Sequence, residues 1–518
     1  MTARSPRQWR SEGFLPFRLE VLTPVHIGSG DVLSPLEYVI RKKNGKARLY
    51  RIDLQSWLMR HGSEQSVQNI IATGDISRIR RMLDEKVDEA AYAVSSSPIP
   101  DLSLAEDLGQ ALGGALPKSK TGDVAAALRN PLDNSLYIPG SSLKGAMNTP
   151  LINWLDKLGH TSLKDAFLAD PKRGMQDRLR EMFGSISEHA MQALKVSDVA
   201  APFSSCAVVR AREKSRNPQK PGTPKPPCEA IMPDCGDMWG RFLLESPEGT
   251  PAITLPANGT RITLLQLVQY CNEFYRKRFD DELKNFYQLP HFQEVRKALH
   301  EAEAKITALN GRDNTTMLLR VGHYSHVESV TVDKNQPRTR KGKDGKPMPS
   351  GTTRTLADGR LPFGWVLLHF CSPEEYEAGM AEAEAARRAS VAEQTEQIHT
   401  LRQKAEEQAA QAALLKHQQE ERRLAEAQKA AEEQKKREDL ERRMAELPPE
   451  EARLLKLKTD PSEALSMEIF NEMKKWSPEL QRKAAEALRD CWLALGKWNG
   501  KQSKKQEIKI REVKALLA

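Results

Sequence analysis

Residues 136–147 read LYIPGSSLKGAM, and this stretch decides how the rest of the chain is interpreted. Three strand-forming residues precede a Pro-Gly turn, so we predict a strand, a tight turn and a helix that starts near Gly140. The free backbone N–H groups and the dipole of a helix N-terminus favour a bound phosphate. The stretch therefore predicts a loop that holds one phosphate, with Lys144 adding positive charge.

The same loop lacks the residues of a nucleotide-hydrolysing site. Gly140 and Gly145 have the Gly-x4-Gly spacing of such loops, but Ala146 and Met147 stand where Lys and Ser/Thr are needed. ATP or GTP hydrolysis is therefore disfavoured. An ordinary strand-to-helix turn remains the alternative to a phosphate grip. Pro150 is expected to kink or restart the helix.

Around this loop, residues 14–372 mix strand and helix patterns. Residues 16–21 alternate apolar and polar side chains as a half-buried strand does, and Asn44-Gly45 separates two alternating segments as a hairpin turn. Apolar residues at helical spacing follow at 264–275. The predicted fold class is α+β.

The amino-acid composition changes at Pro373. Residues 374–447 contain no proline and consist mostly of Ala, Glu, Gln, Lys and Arg, so we predict one long helix that Pro448-Pro449 ends. A thin heptad seam predicts a weak coiled coil; a solvated single helix is the alternative. Residues 448–518 predict a small helical, basic region.

The amino-acid composition limits the classes of partner, location and cofactor that fit this chain. The chain has 518 residues and a formal net charge of +9, which suits a polyanionic partner. It shows no secretory signal and no apolar run long enough to cross a membrane, so a cytoplasmic location is expected. The six cysteines form no CxxC pair. We therefore expect neither a metal site nor a cofactor.

Three stretches together resemble the RAMP superfamily, the RNA-binding proteins of CRISPR systems. YIPGSSLKGAM (137–147) is similar to the signature glycine loop of that family, LTPVHIGSG (22–30) to its first strand and turn, and LKVSDVAAPF (194–203) to an internal strand. LLRVGHYSHVES (318–329) is the counterpart of a late glycine segment. The order of these stretches along the chain most resembles that in the capping subunit of type III-A (Csm) effector complexes.

The resemblance implies ferredoxin-like, RRM-like domains. We accordingly divide the chain into a flexible N-terminus (1–13), a first RAMP domain with a helical insertion (14–205), a second RAMP-like domain with basic loops (206–372), the long helix (373–447) and the helical basic region (448–518). The resemblance also implies binding of the 3′ part of a CRISPR RNA and contact with repeating backbone subunits. Other type III subunits and trimming nucleases are further implied partners, and we expect a protein partner for the helical arm.

Two basic segments extend the predicted RNA-binding set. Residues 208–227 and 333–355 carry charge of mostly one sign among glycines and prolines, so we expect both to be mobile until they meet an anion. The predicted RNA-binding residues are Gly28, Ser29, Gly30, Gly140, Ser141, Ser142, Lys144, Gly145, Arg210, Arg212, Lys214, Arg216, Arg338, Arg340, Lys341 and Lys343.

The favoured interpretation is RNA binding without catalysis, and two alternatives stay open. His26, between a strand and a Gly-Ser-Gly turn, is the candidate proton-transfer residue of a metal-independent endoribonuclease. Asp31 is a candidate for metal-assisted cutting. Both residues also fit ordinary structural roles at a strand end and in a loop. The second alternative is a coiled-coil scaffold in which the basic segments are incidental.

Overall fold

The computed structural model describes most of the chain and divides it into two compact units after Gln403. The described residues are 14–112, 122–170, 173–202, 205–220, 222–223, 225–245, 251–309, 314–333, 351–499 and 503–518. The predicted N-terminal segment 1–13 lies outside these ranges.

All strands lie in the first unit. They are β1 (Leu15–Val21), β2 (Gly28–Leu33), β3 (Tyr38–Lys43), β4 (Lys46–Ile52), β5 (Ala93–Ile99), β6 (Val124–Ala127), β7 (Tyr137–Ile138), β8 (Leu194–Val196), β9 (Val199–Ala200), β10 (Cys206–Val209), β11 (Ala211–Ser215), β12 (Cys228–Ile231), β13 (Met238–Leu244), β14 (Ala252–Thr254), β15 (Arg261–Thr263), β16 (Thr316–Arg320), β17 (Thr353–Ala357), β18 (Leu361–Pro362) and β19 (Trp365–Phe370) among the described residues.

Helices occur in both units. They are α1 (Leu54–His61), α2 (Gln65–Ala72), α3 (Ile76–Lys86), α4 (Glu89–Tyr92), α5 (Leu102–Leu112), α6 (Gly140–Lys157), α7 (Leu163–Ala169), α8 (Gly174–Phe183), α9 (Leu264–Glu282), α10 (Gln293–Ala298), α11 (His300–Ala308), α12 (Pro373–Glu446), α13 (Pro449–Thr459), α14 (Glu463–Glu472), α15 (Pro478–Ala494) and α16 (Lys504–Leu517) in the part of the chain that is described.

The main sheet has five antiparallel strands in the order β16-β19-β1-β13-β8. β1 lies at its centre, where Phe17 and Leu19 are fully buried, because alternate side chains of a strand face the same side. Leu19 is opposite Leu368 of β19 and Met238 of β13. The predicted first strand is therefore confirmed as the middle of the core.

Two helices pack against one another and onto this sheet. Trp154 of α6 stacks on Tyr270 of α9 with ring centroids 4.0 Å apart. Asn272 of α9 bonds the edge strand β16, where its Oδ1 accepts from the Leu318 N–H at 2.7 Å and its Nδ2 donates to the Thr316 carbonyl at 2.9 Å. An amide side chain thus satisfies backbone groups that an edge strand leaves open.

The first unit also contains smaller sheets. Their strand orders are β10-β12-β6-β2, β11-β17-β18, β3-β4-β5, β7-β9 and β14-β15. Asn44 (φ 51°) and Gly45 (φ 73°) both have positive φ between β3 and β4, as a type I′ hairpin turn requires. The predicted hairpin is confirmed.

The α+β class with a helical C-terminal region is confirmed. The main sheet combines β1 and β8 with β13, β16 and β19, which lie on the other side of the boundary that the sequence suggested at residue 206. The sheet therefore contains strands from both predicted RAMP domains, 14–205 and 206–372. α6 runs continuously through the buried Pro150, so the expected restart of the helix at that residue is wrong.

The long helix is confirmed as α12, which ends two residues before Pro448-Pro449. In the second unit, α13–α16 enclose a separate core that includes Leu457, Leu488, Trp492 and Val513. α15 begins as predicted, since the Ser477 side chain accepts a hydrogen bond from the Leu480 N–H. Among the described residues, no helix is both long enough and apolar enough to cross a membrane.

Candidate nucleic-acid interface

Gly140 is fixed by close packing. A Cβ at this position would lie 1.9 Å from the Val196 carbonyl oxygen, so only glycine fits. The Gly140 N–H donates to Asp198 Oδ1 at 2.8 Å. The predicted glycine loop and the Val-Ser-Asp segment therefore meet in space, but the expectation of a free amide at Gly140 is wrong because a carboxylate already accepts its proton.

The outer face of the same loop is open to solvent. Ser141 and Gly145 are exposed, and a Cβ at Gly145 would meet nothing within 4 Å. The Ser142 N–H donates to the Pro139 carbonyl at 2.9 Å, which closes the first turn. Gly145 therefore has no packing reason to be glycine, and the space beside it can admit a ligand backbone.

Lys144 belongs to a group of basic side chains beside this turn. Partial burial lowers its pKa, and the positive charge of Lys195 adds to the effect. Burial and the charge of Lys144 likewise lower the pKa of His189. Lys195 pairs with Glu245 at 2.7 Å, whereas no carboxylate of the described residues forms an ion pair with Lys144. We name Lys144, Lys195 and His189 the α6 basic group; the sequence did not reveal its last two members.

Gly28, Ser29 and Gly30 were expected in a flexible turn, but they form the start of β2, an edge strand. All three are exposed, and the pairing with β6 is irregular between Gly28 and Val32. Gly30 has φ 91°, which favours glycine. A bulged edge of this kind leaves backbone groups available to a polar ligand.

His26 is buried, with 3% of its surface exposed. Its Nδ1 lies 2.7 Å from the Glu229 carbonyl oxygen, which can only accept, so Nδ1 carries the proton and Nε2 is the free acceptor. Burial lowers the pKa of this imidazole. The ring faces those of His323 and Tyr324, with centroids 6.1 and 6.3 Å away.

The late glycine segment packs on His26. Gly322 has φ 82°, a Cβ there would lie 2.6 Å from the His26 carbonyl oxygen, and the His323 N–H donates to that oxygen at 2.8 Å. The fold therefore supplies the second histidine that the sequence did not reveal beside His26. The two histidines lie far apart in the chain, so no local sequence pattern pairs them. The resemblance of residues 318–329 to the family's late glycine segment was the one sequence signal for this contact.

Asp31 lies at an exposed position of β2. Its N–H donates to Ser29 Oγ at 3.1 Å. No group of three or more His, Cys, Asp or Glu side chains that could hold a metal ion occurs among the described residues.

The basic residues of 208–216 are ordered rather than mobile, contrary to expectation. They lie in and beside β10 and β11, and β11 pairs with β17. Arg210 forms ion pairs with Asp107 at 2.8 Å and Asp101 at 3.4 Å, and Arg212 approaches Asp101 at 3.7 Å. These carboxylates neutralise much of the positive charge that the sequence analysis assigned to RNA binding.

The remaining basic side chains divide into two sets. Lys214 lies over the ring of Phe292 and Arg216 over that of Phe286, at 4.8 and 5.6 Å from the centroids. Cations above aromatic rings stay charged and can still meet a phosphate. Arg338, Arg340, Lys341 and Lys343 lie outside the described residues.

The glycine-containing segments of the predicted site thus form two separate clusters, apart from the basic residues of 210–216. One joins 140–145 to 194–198, and the other joins 26–30 to 322–324. No hydrogen bond or ion pair between the residues that the structure describes connects the two directly.

A 166-residue segment is 27% identical to the "CRISPR system Cms protein Csm5" of Streptococcus thermophilus and spans 30% of this chain and 43% of that protein. A chain in the cryo-EM structure of a Csm–crRNA–target RNA ternary complex of a type III-A CRISPR-Cas system is 19% identical, with a TM-score of 0.47; the match covers 69% of this chain and all of that one. The crystal structure of T. onnurineus Csm5 is also 19% identical, with a TM-score of 0.43, and the match covers 67% of this chain and 99% of that one.

The family itself is shown by a match over a larger part of the chain. The model of the RAMP superfamily matches residues 18–287, which are 270 of the 518 residues. This range contains the first-strand turn, the glycine loop and the Val-Ser-Asp segment, so the resemblance inferred from these motifs is confirmed. The chain belongs to the RAMP superfamily.

Proposed function

We propose that this protein is an RNA-binding subunit of a type III-A CRISPR effector complex. In this proposal it caps the filament of repeating backbone subunits and holds the 3′ part of the CRISPR RNA without cutting it. Membership of the RAMP superfamily and the similarity to a protein named Csm5 support the complex and the subunit type. Trimming of the guide is then the task of partner nucleases, and α12 is the segment that docks another protein.

One observation carries the RNA-binding part of the proposal. Lys144 stands in the first turns of α6 beside Lys195 and His189, and no carboxylate of the described residues pairs with it. Neighbouring cations destabilise one another, so an anion bound among them relieves repulsion that the free protein retains. The open space at Gly145 lets an RNA backbone approach this group.

The binding mechanism follows from charge. Each phosphate that a lysine or arginine neutralises releases condensed counterions, so affinity falls as salt rises, with a slope of about −0.7 per contact for single strands. Contacts of this kind position the strand and carry little sequence information. We therefore expect tight binding with a strong salt dependence and weak base preference.

The test is filter binding of a single-stranded guide RNA to the full-length protein across a salt series. Lys144→Glu is expected to weaken binding at low salt and to make the slope shallower by about one contact. Lys297→Glu, the same charge change at the exposed Lys297 of α10, is the control. An affinity and slope unchanged in Lys144→Glu would remove the basis of the proposal.

The second candidate function is a metal-independent endoribonuclease. The observation in its favour is the pair of imidazoles, since His323 supplies a second titratable ring 6.1 Å from His26. Against it stand the burial of His26 and its hydrogen bond to Glu229.

Incubation of the protein with CRISPR repeat RNA in EDTA separates the two functions. Cleavage that disappears in both His26→Ala and His323→Ala, with folding retained, supports the enzyme. Intact RNA that stays bound supports the non-catalytic subunit. A scaffold without RNA function would purify free of RNA and ignore added transcripts at low salt.

A further inference from the structure

A cavity of about 180 Å³ lies outside both predicted clusters. Strands β4, β5 and β10, the segment after β6 and the helix α12 contribute lining residues. Five of the residues that line it are serines. We name it the serine pocket, lined by Arg48, Ser95, Ser96, Arg129, Asn134, Ser135, Leu136, Pro202, Ser205, Cys206 and Ser390.

Two hydroxyls in this pocket are buried without a partner. The Oγ atoms of Ser95 and Ser205 have no hydrogen-bond partner among the described residues, and Ser205 is 3% exposed. A buried hydroxyl without a partner is unfavourable, and such groups are uncommon unless a ligand, ion or water completes them. Both serines belong to the lining of the pocket, where a small polar group can supply a partner.

The fixed charges of the pocket are already balanced. Arg129 Nη2 pairs with Glu229 Oε1 at 2.6 Å, and its Nη1 donates to the Asn134 carbonyl at 2.6 Å. The Asp133 carboxylate beside the pocket pairs with Arg387 of α12. Neither carboxylate therefore offers an uncompensated negative charge to a cation.

Arg48 supplies a surplus positive charge at the rim. It is exposed, and its Nη2 donates to Ser96 Oγ at 2.8 Å. No carboxylate within the described ranges forms an ion pair with it. Arg51, outside the lining of the pocket, is a second cation 4.0 Å from the buried Glu229. The balance of charge around the serine hydroxyls is positive, which favours an oxyanion.

We propose that the serine pocket binds one phosphate group of single-stranded RNA. Arg48 supplies the charge, and the hydroxyls of Ser95 and Ser205 donate to phosphate oxygens. This inference rests on the proposed RNA-binding function and adds a second contact point through Arg48, Ser95 and Ser205, which lie outside the glycine loop. Ser390 lines the pocket, so α12 contributes to the site.

The phosphate can belong to a chain end or to the continuous backbone, and two RNA probes separate these sources. The full-length protein is titrated with a short single-stranded RNA that ends in a 3′-phosphate and with the same RNA ending in a 3′-hydroxyl. Arg48→Gln and Ser205→Ala are each expected to weaken binding about tenfold, the effect of losing one charge-assisted or buried hydrogen bond. A loss confined to the phosphorylated RNA assigns a terminal phosphate, and an equal loss for both assigns a backbone phosphate.

Thermal unfolding supplies a second readout that does not depend on RNA. Inorganic phosphate should raise the Tm of the unmodified protein and raise it less in Arg48→Gln. Ser205→Ala removes an unsatisfied hydroxyl, so the free variant should be at least as stable as the parent protein. Lys43→Gln, an exposed change on the same hairpin, is the matched control.

The RNA titrations and the thermal unfolding together distinguish failure of the pocket from failure of the proposed function. If Arg48→Gln and Ser205→Ala bind both RNAs normally while Lys144→Glu does not, the pocket is overturned and the proposed function stands. If the unmodified protein binds neither RNA, the proposed function fails. In that case a Tm shift with phosphate that Arg48→Gln abolishes still supports an oxyanion site, and no shift overturns it.

Discussion

The backbone N–H of Gly140 donates to the side chain of Asp198 at 2.8 Å, across 58 residues of sequence. This bond joins the glycine loop to the Val-Ser-Asp segment and places a carboxylate at the N-terminus of α6. A carboxylate there satisfies an otherwise unpaired amide and compensates part of the helix dipole. The attraction that this loop offers to RNA therefore comes from Lys144 and its neighbours rather than from the Gly140 amide.

The two glycines of the loop should respond to alanine in opposite directions. Gly140→Ala places a Cβ 1.9 Å from the Val196 carbonyl, and relieving that clash should cost about 1–3 kcal/mol of unfolding free energy. Gly145→Ala meets nothing within 4 Å in a helix interior and should add about 0.5–1 kcal/mol. Urea unfolding of both variants measures these changes.

RNA binding by Gly145→Ala then separates packing from recognition. A stabilised variant with weakened RNA binding indicates that the ligand needs the space beside this glycine. A variant that is both stabilised and fully active would exclude Gly145 from the interface, since nothing else in the described structure requires glycine there.

Local signals were sufficient for most elements. Asn44-Gly45 specifies its hairpin because both residues tolerate positive φ, and Ser477-Pro478 specifies the start of α15 because a serine cap and a proline in the first turn suit a helix N-terminus. Neither depends on a distant residue. The ends of α12 were predictable for the same reason, because proline limits a helix from within its own sequence.

Three features could not be predicted from the sequence because they depend on contacts between residues far apart in the chain. Residues 208–216 looked mobile because Asp101, which pairs with Arg210, lies 109 residues away in the chain. His323 was not recognised as a neighbour of His26 for the same reason. The amide of Gly140 was expected to be free because no local pattern reveals that Asp198 accepts from it.

Arg210 should contribute to stability rather than to RNA binding. Its guanidinium pairs with Asp101 and Asp107 and is mostly buried, so Arg210→Ala should lower the unfolding free energy by about 1–2 kcal/mol. The salt slope of RNA binding should not change, because a paired arginine releases no additional counterion. Arg296→Ala, at an exposed position of α10, is the control for loss of one positive charge. A shallower salt slope in Arg210→Ala alone would return this residue to the interface.

A buried ionic cluster should dominate the stability of the first unit. Glu282 is 2% exposed and contacts Arg320 at 3.0 Å and Arg354 at 2.6 Å, and both arginines are also buried. Glu282→Gln leaves two buried cations without their shared carboxylate, so we expect a loss of about 3–5 kcal/mol. Urea unfolding of this variant should be compared with that of Glu273→Gln, an exposed position of the same helix. Equal, small effects in both variants would show that the cluster is not a major source of stability.

His326 should make the stability depend on pH. Its Nε2 accepts a hydrogen bond from the Thr355 N–H at 3.2 Å, and burial, with the charges of Arg320 and Arg354, holds its pKa well below the ordinary value. Below about pH 6.5 the unfolded chain takes up a proton that the folded protein refuses. The unfolding free energy should therefore fall with decreasing pH, by at most about 1.4 kcal/mol per pH unit for this group.

Replacing this histidine tests that assignment. His326→Gln keeps an acceptor but cannot titrate, so the fall in stability between pH 7 and pH 5 should become shallower. His399→Gln, at an exposed position of α12, should leave the slope unchanged. The same slope in the parent protein and His326→Gln would show that other groups control the acid sensitivity.

Residues 448–518 should fold without the rest of the chain. Their helices enclose their own core, in which Trp492 Nε1 donates to Ser466 Oγ at 3.1 Å. A cooperative thermal transition, followed by Trp fluorescence of the isolated fragment, would support the boundary predicted at residue 448. Leu488→Ala should lower the unfolding free energy by about 2–5 kcal/mol because Leu488 is fully buried, whereas Leu493→Ala, at a position that is 43% exposed, should have little effect. A fragment that unfolds without a transition, or responds equally to both substitutions, has no packed core of its own, and the boundary would then be wrong.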